Sequence, residues 1–274
     1  MKSYKYIIIL SILIIIDCSI GGYINVWREW YWSALSNKEF TKWVWLIGQF
    51  SILALVSCAV SGYLQYIGNM LSLNIRDKLT EKSLSLETYK NIEGGSQRVQ
   101  EDCRDYPTLV ISLVVGLIRA LIMSIVCVFI ILSHLSGLYL LFPIVYTIIG
   151  TLIAGKIAFP LINLNYINQV FEAKFRQLLT DLNYKDVHNN NYQLFKYSKY
   201  LQYFQSFYNQ ITVIVPHLIL SIVYFSGKIT FGIFMQLASA MAEIINNLSF
   251  IINSFNEFNR LLSCRKRLKE IKVI

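Results

Sequence analysis

The segment Asn91–Asp105, NIEGGSQRVQEDCRD, decides how the fold of this chain is interpreted. It is densely polar and lies between two long apolar blocks, and the pair Gly94–Gly95 allows the chain to reverse there. Ser96 is placed to cap a helix, and Pro107 precedes an apolar run that begins at Leu109. The segment therefore predicts a water-exposed turn and helix start between two membrane helices. The alternative is a solvated linker with no further role.

The composition indicates a membrane protein. Of 274 residues 55% are hydrophobic and only 15% are charged, and the mean hydropathy of +0.49 is too high for a soluble domain of this length. The net charge of +9 does not by itself indicate a nucleic-acid partner, because the basic residues of a membrane protein concentrate on one side of the membrane. The five cysteines show no paired spacing, so we expect neither a disulfide framework nor a metal site, and no cofactor.

Six apolar runs of roughly 20 residues predict six transmembrane helices, since that length crosses a bilayer. The predicted spans are residues 6–26, 43–67, 109–132, 138–160, 208–226 and 229–253. Amphipathic patterns extend the second span and the connection after the fourth into water, and Asn189–Asn191 predicts a helix break before the fifth. The expected fold is all-α, a single transmembrane domain over residues 1–274 with long cytoplasmic extensions.

The distribution of basic residues predicts the orientation in the membrane. Of the 25 Lys and Arg residues, 20 lie at the two termini or in the two long connections, and only four lie in the short loops. By the positive-inside rule both termini and both long connections are cytoplasmic. Six helices with two long inward connections is the layout of the membrane domain of type IV ABC exporters.

One stretch of the fourth span has the glycine and lysine spacing of a nucleotide-binding loop. Gly150 to Lys156 has the G-x-x-x-x-G-K spacing, but Ile157 stands where Ser or Thr is required, and the stretch is uniformly apolar. The sequence is therefore expected to contain no nucleotide-binding domain and no catalytic site, and not to be an enzyme.

The polar segment carries a specific resemblance. Ile92-Glu93-Gly94, followed by Gln97 to Asp102, resembles the signature of the SbmA/BacA family of bacterial inner-membrane peptide transporters, which is similar to the membrane domains of subfamily D ABC transporters. The sixth span and the sequence Asn25-x-Trp27 also resemble the family pattern. The residues that match the family motif, and that are candidates for an inner gate, are Glu93, Gln97, Arg98, Gln100, Glu101 and Asp102.

The resemblance implies a homodimer in the bacterial inner membrane that imports peptides, including antimicrobial peptides. The implied energy source is a proton gradient, without an ATPase. Two other classes of function stay open: a permease subunit of an ABC transporter with a separate ATPase chain, and a membrane scaffold that transports nothing.

Charged residues inside the predicted spans are the candidates for proton coupling, because such residues are costly in a bilayer and often functional. Asp17, Arg119 and Glu243 are predicted near one depth, about 15 Å from the inner end of their helices. Glu243 has no obvious partner, which makes it the leading candidate. Asp17 and Arg119 can equally form an ion pair that is only structural.

Three further residues are candidates with structural alternatives. Histidine as a residue type titrates near neutrality, so His217, beside Pro216, is a candidate proton relay, but such a histidine more often bonds a neighbouring helix. Glu101 and Asp102 are predicted to pair with Arg98 or Arg104 in an inner gate, although such pairs can also be purely structural.

Overall fold

The computed structural model describes residues 2–86, 90, 95–157, 159 and 184–273, and it is helical throughout these ranges apart from short turns. The helices are α1 Lys2–Ser36, α2 Phe40–Leu86, α3 Gly95–His134, α4 Gly137–Ile157, which begins with a 3-10 turn at Gly137–Leu140, α5 Tyr184–Phe225, α6 Phe231–Leu248, α7 Phe250–Asn253 and α8 Phe255–Glu270.

One sequence expectation about a local break is wrong. α5 is continuous through Asn189–Asn191, where a break was expected. α3 begins at Gly95 and runs through Pro107 into the apolar run. Asn lowers helix propensity by less than about 1 kcal/mol per residue, so flanking helix formers override it. Pro107 lies inside α3, more than three turns after Gly95, where it can donate no N–H to the carbonyl oxygen of residue 103, and the helix continues through it.

Five helices within the described residues are long and apolar enough to cross a membrane, namely Tyr4–Ser36, Phe40–Leu86, Val99–His134, Gly137–Ile157 and Asn191–Phe225. Their outward side chains are apolar: Leu55 is 73% exposed and Ile222 is 75% exposed. A surface of this kind is stable in lipid and not in water. α6 is not among these five, so a total of six spans remains a prediction.

The chain divides into two compact units. The first contains residues 1–74, 110–147 and 209–250. Its core lies around α6, whose Leu237 and Met241 pack with Ile131 of α3 and Leu220 of α5. α1 packs against α6, and the two helices approach closely at Gly232, where a Cβ atom would collide with the Ser33 side chain and the Glu29 carbonyl oxygen. Glycine is therefore required at this crossing.

The second unit contains residues 75–109, 148–208 and 251–274. Its main core joins the start of α3 to the end of α8: Val99 and Cys103 pack with Leu268, and Ile271 and Val273 are almost fully buried beside them. A smaller cluster surrounds Leu201 of α5. These contacts fix the polar segment that follows Gly95 against α8.

Candidate functional site

The first unit contains an ion pair between two of the predicted intramembrane charges. Arg119 Nη2 of α3 lies 2.6 Å from Asp17 Oδ2 of α1. The Asp17 side chain is 9% exposed, whereas that of Arg119 is 47% exposed. Cys18 lies within electrostatic range of Asp17, Arg119 and Glu243, and the common depth of these three charges stays a prediction.

Glu243 of α6 is not without a partner, contrary to the sequence expectation. The Cys127 thiol of α3 donates a hydrogen bond to its carboxylate, and the guanidinium of Arg28 on α1 interacts with it electrostatically. Arg28 was missed because the aromatic residues around it mark a membrane interface. In the structure α1 stays helical to Ser36, which keeps Arg28 on the same helix as Asp17, about three turns away.

His217 of α5 is held by two neighbours. Its Nδ1 atom lies 2.8 Å from the Val213 carbonyl oxygen of the same helix, and its ring meets the Phe234 ring edge-on with centroids 5.6 Å apart. These contacts position the imidazole in the packed unit. Proton relay by His217 stays a prediction.

The second unit contains an acid and arginine cluster at the start of α3. Asp102, almost completely buried, accepts hydrogen bonds from Arg267 of α8: Nε lies 2.9 Å from Oδ2, and Nη2 lies 2.6 Å from Oδ1. Asp105 accepts from Arg104 Nε at 2.8 Å and from Arg260 Nη2 at 3.1 Å. The hydrogen bond from Asp102 raises the pKa of Arg267 further above its ordinary range.

The structure pairs Asp102 with Arg267, whereas Arg98 or Arg104 was expected. The Arg98 side chain lies outside the described residues, and Arg104 is unsuited for a geometric reason. Residues two apart on a helix point in different directions and do not face each other. The actual partner, Arg267, lies 165 residues later, in a basic stretch that predicted only the orientation of the chain in the membrane. The spacing within the motif carried no sign of this contact.

The remaining motif residues have different environments. Glu93 lies outside the described residues, as do the side chains of Gln97 and Arg98. Gln100 and Glu101 are exposed, and Glu101 interacts electrostatically with Arg104. Among the motif residues whose side chains are described, only Asp102 is buried.

The Cys264 thiol of α8 lies beside the Asp102–Arg267 pair. Arg267 Nη2 is 3.5 Å from its sulfur. Burial, and then the negative charge of Asp102, raise the pKa of Cys264 to about 11. The thiol is therefore neutral at physiological pH. Among the described residues, no group of His, Cys, Asp and Glu side chains is arranged to hold a metal ion.

The long apolar helices and the ionised groups packed within the first unit define a multi-pass membrane protein. The sequence pattern of the SbmA/BacA-like family matches residues 4–274, and the chain belongs to this family.

Curated relatives are ABC transporter proteins. The inner membrane ABC transporter ATP-binding protein YddA of Escherichia coli is 25% identical over 98% of this chain and 56% of its own length. ABC transporter D family member 2, chloroplastic, of Arabidopsis thaliana is 24% identical over 91% of this chain and 40% of its own length. An uncharacterized ABC transporter ATP-binding protein of Haemophilus influenzae is 28% identical over 55% of this chain and 30% of its own length. The chain thus spans 30% to 56% of the length of these relatives, and the similarity supports a membrane transporter.

Proposed function

We propose that this protein is a homodimeric importer of peptides, including antimicrobial peptides, in a bacterial inner membrane, driven by the proton gradient. The observation that carries the proposal is the group of ionisable residues Asp17, Arg119 and Glu243 within the helices of the first unit. A membrane potential of 100 mV supplies about 2.3 kcal/mol for each charge that crosses it, provided that an ionisable group lies within the field.

In this proposal Glu243 is the residue that exchanges protons. When Glu243 is ionised, its carboxylate accepts from Cys127 of α3 and attracts Arg28 of α1. Protonation removes the attraction for Arg28 and changes the hydrogen bond to Cys127, which weakens the electrostatic contact of α6 with both helices. The Asp17–Arg119 pair then keeps α1 and α3 together during the change.

The substrate class rests on family membership. The SbmA/BacA-like family supports peptides as the transported molecules and the inner membrane as the location, and the charge distribution of the sequence supports cytoplasmic termini.

A second candidate is the membrane part of an ABC transporter that uses ATP. The names of the Escherichia coli and Haemophilus influenzae relatives include ATP binding, and those proteins extend well beyond the part that this chain matches. In this reading the charge group of the first unit is structural.

Reconstitution into proteoliposomes tests both candidates. We expect uptake of a labelled cationic peptide when the medium outside the vesicles is acidic relative to the lumen, abolition of that uptake by a protonophore, and no requirement for ATP. Uptake that survives the protonophore and needs an added ATPase and ATP supports the second candidate instead. The absence of uptake under both conditions contradicts both and leaves a membrane scaffold.

A further inference from the structure

A cavity of about 620 Å³ opens between α1, α2 and α6 in the first unit. Of its eight lining residues four are aromatic, two are aliphatic or thioether side chains, Ile24 and Met235, and two are polar, Arg28 and Ser239. The aromatic lining residues are Trp27, Tyr31, Trp32 and Phe50. The volume lies within the range of small-molecule binding sites, and an apolar lining with few polar groups is typical of them.

The aromatic wall is held in place by its own contacts. Trp27 donates a hydrogen bond from Nε1 to the Leu46 carbonyl oxygen at 3.1 Å, and its ring packs on Tyr31 and Phe50 with centroids 5.0 and 4.8 Å apart. Trp32 meets Phe231 edge-on. Because these rings are fixed, a ligand loses little free energy to ordering the wall when it binds.

Arg28 gives the cavity its charge. Among the described residues its guanidinium makes no hydrogen bond and no ion pair, and its electrostatic interactions are with Glu243 and Cys127. Neither Glu243 nor any other acid lines the cavity. The five N–H donors of a guanidinium fit a carboxylate in a bidentate arrangement, and the same positive charge repels Lys and Arg side chains.

We propose that this cavity binds the free carboxyl terminus of a peptide whose last residue is apolar or aromatic. Arg28 receives the carboxylate, the Ser239 hydroxyl donates a further hydrogen bond, and the aromatic wall receives the terminal side chain. The choice of a peptide as the source of the carboxylate rests on the proposed function, whereas the match between Arg28 and a carboxylate does not. In the predicted topology the cavity lies at the outer end of α1, where an importer meets its substrate.

Equilibrium binding to the full chain in lipid nanodiscs tests the proposal without any gradient. The probe is tritiated Ala-Ala-Phe with a free carboxyl terminus, compared with the same peptide as its carboxamide. We expect the carboxamide to bind about tenfold more weakly or worse, because a charge-assisted hydrogen bond is lost. Equal binding of the two peptides overturns the proposal on the unaltered protein, so this comparison does not depend on a variant that folds.

Two variants test whether the preference for the free acid over the carboxamide depends on Arg28. In Arg28→Gln we expect acid and carboxamide to bind alike, whereas the control Lys228→Gln, which removes an exposed charge away from the cavity, keeps the preference. A preference for the acid that survives Arg28→Gln overturns the assignment. Binding of dodecanoate that depends on Arg28, with no such binding of the peptide acid, overturns the peptide as ligand.

The outcome is separable from that of the proposed function. Acid-selective binding without gradient-driven uptake leaves the site intact and contradicts the importer. Uptake driven by the gradient at equal rates for acid and carboxamide, with equal binding, leaves the importer intact and contradicts the site.

Discussion

Glu101 and Asp102 are adjacent acids of one motif, yet only Asp102 is buried. A carboxylate removed from water is stable only when its charge is compensated. Arg267 supplies that compensation through three hydrogen bonds from Nε and Nη2 to the two carboxylate oxygens, and the Arg267 side chain is itself only 30% exposed. The pair is therefore sensitive to the loss of either partner.

Asp102→Asn is expected to destabilise the second unit by about 3 kcal/mol, because it leaves the Arg267 charge buried and uncompensated. Thermal unfolding in detergent, followed by circular dichroism, measures the effect. The matched control is Glu101→Gln, an exposed neighbour, for which we expect a change within about 0.5 kcal/mol. Equal effects of the two variants contradict the compensating role of Arg267.

Glu243→Gln keeps the size of the side chain and removes its charge. If Glu243 exchanges protons during transport, uptake of the labelled peptide by this variant becomes slow and nearly independent of pH between about 5 and 8. Glu257→Gln, on the exposed face of α8, is the control and keeps the normal pH dependence. An unchanged pH profile in Glu243→Gln moves the coupling role to Glu101, Asp102 or His217.

Cys264 predicts a specific loss of stability at alkaline pH. Its pKa is raised from 9.0 to about 11 in the folded chain, so the folded state holds this proton more tightly than the unfolded state. The associated stability is present below pH 9 and is lost as the pH rises from 9 to about 11. The unfolding temperature of Cys264→Ala should therefore fall less over this interval than that of the unaltered protein. Parallel curves exclude Cys264 as the group that titrates.

At the scale of helices, the apolar runs predicted where helices lie because burial in lipid demands about 20 apolar residues in sequence. The continuity of α5 through Asn189–Asn191 was not predictable in this way, since it depends on the sum of weak preferences over a long helix. The apolar pattern also did not predict how deeply α6 is buried. This helix carries Gln236, Glu243, Asn246 and Asn247, and it is the most buried helix of the first unit.

Gly232 controls the approach of α6 to α1. Gly232→Ala places a methyl group against the Ser33 side chain and the Glu29 carbonyl oxygen, and the backbone oxygen cannot move aside cheaply. We expect a loss of about 1–3 kcal/mol in stability. Gly48→Ala is the matched control, because a Cβ atom there meets nothing within 4 Å in the described structure. A loss no larger in Gly232→Ala than in Gly48→Ala contradicts the close crossing.

At the scale of the whole molecule, the sequence predicts orientation from charge, whereas site contacts depend on tertiary structure. The three charges Asp17, Arg119 and Glu243 were identifiable because each interrupts an apolar run. The partners of Glu243, Cys127 and Arg28, like Arg267 for Asp102, are distant in sequence and are ordinary residue types in their local context. Pairing of this kind leaves no periodic signal.

The predicted orientation is testable by cysteine labelling from outside the cell. In a variant whose exposed Cys58 is replaced by Ser, Lys38→Cys should react with a membrane-impermeant maleimide, and Lys185→Cys should react only after the cells are opened. Reaction of Lys185→Cys in intact cells contradicts cytoplasmic placement of the long connection before the fifth predicted span.

The contact between Asp102 and Arg267 also has a consequence for biosynthesis. The two residues are 165 positions apart, so at about 5–20 residues per second the ribosome adds Arg267 roughly 10–30 s after Asp102. Throughout this interval Asp102 has no Arg267 guanidinium to pair with, and the apolar side chains of Val99 and Cys103 are not covered by Leu268. A nascent chain arrested before α8 therefore displays both an unsatisfied acid and an uncovered apolar patch, which are features that proteases and chaperones recognise. Completion of α8 hides both at once, so the maturation of the newly made protein depends on α8.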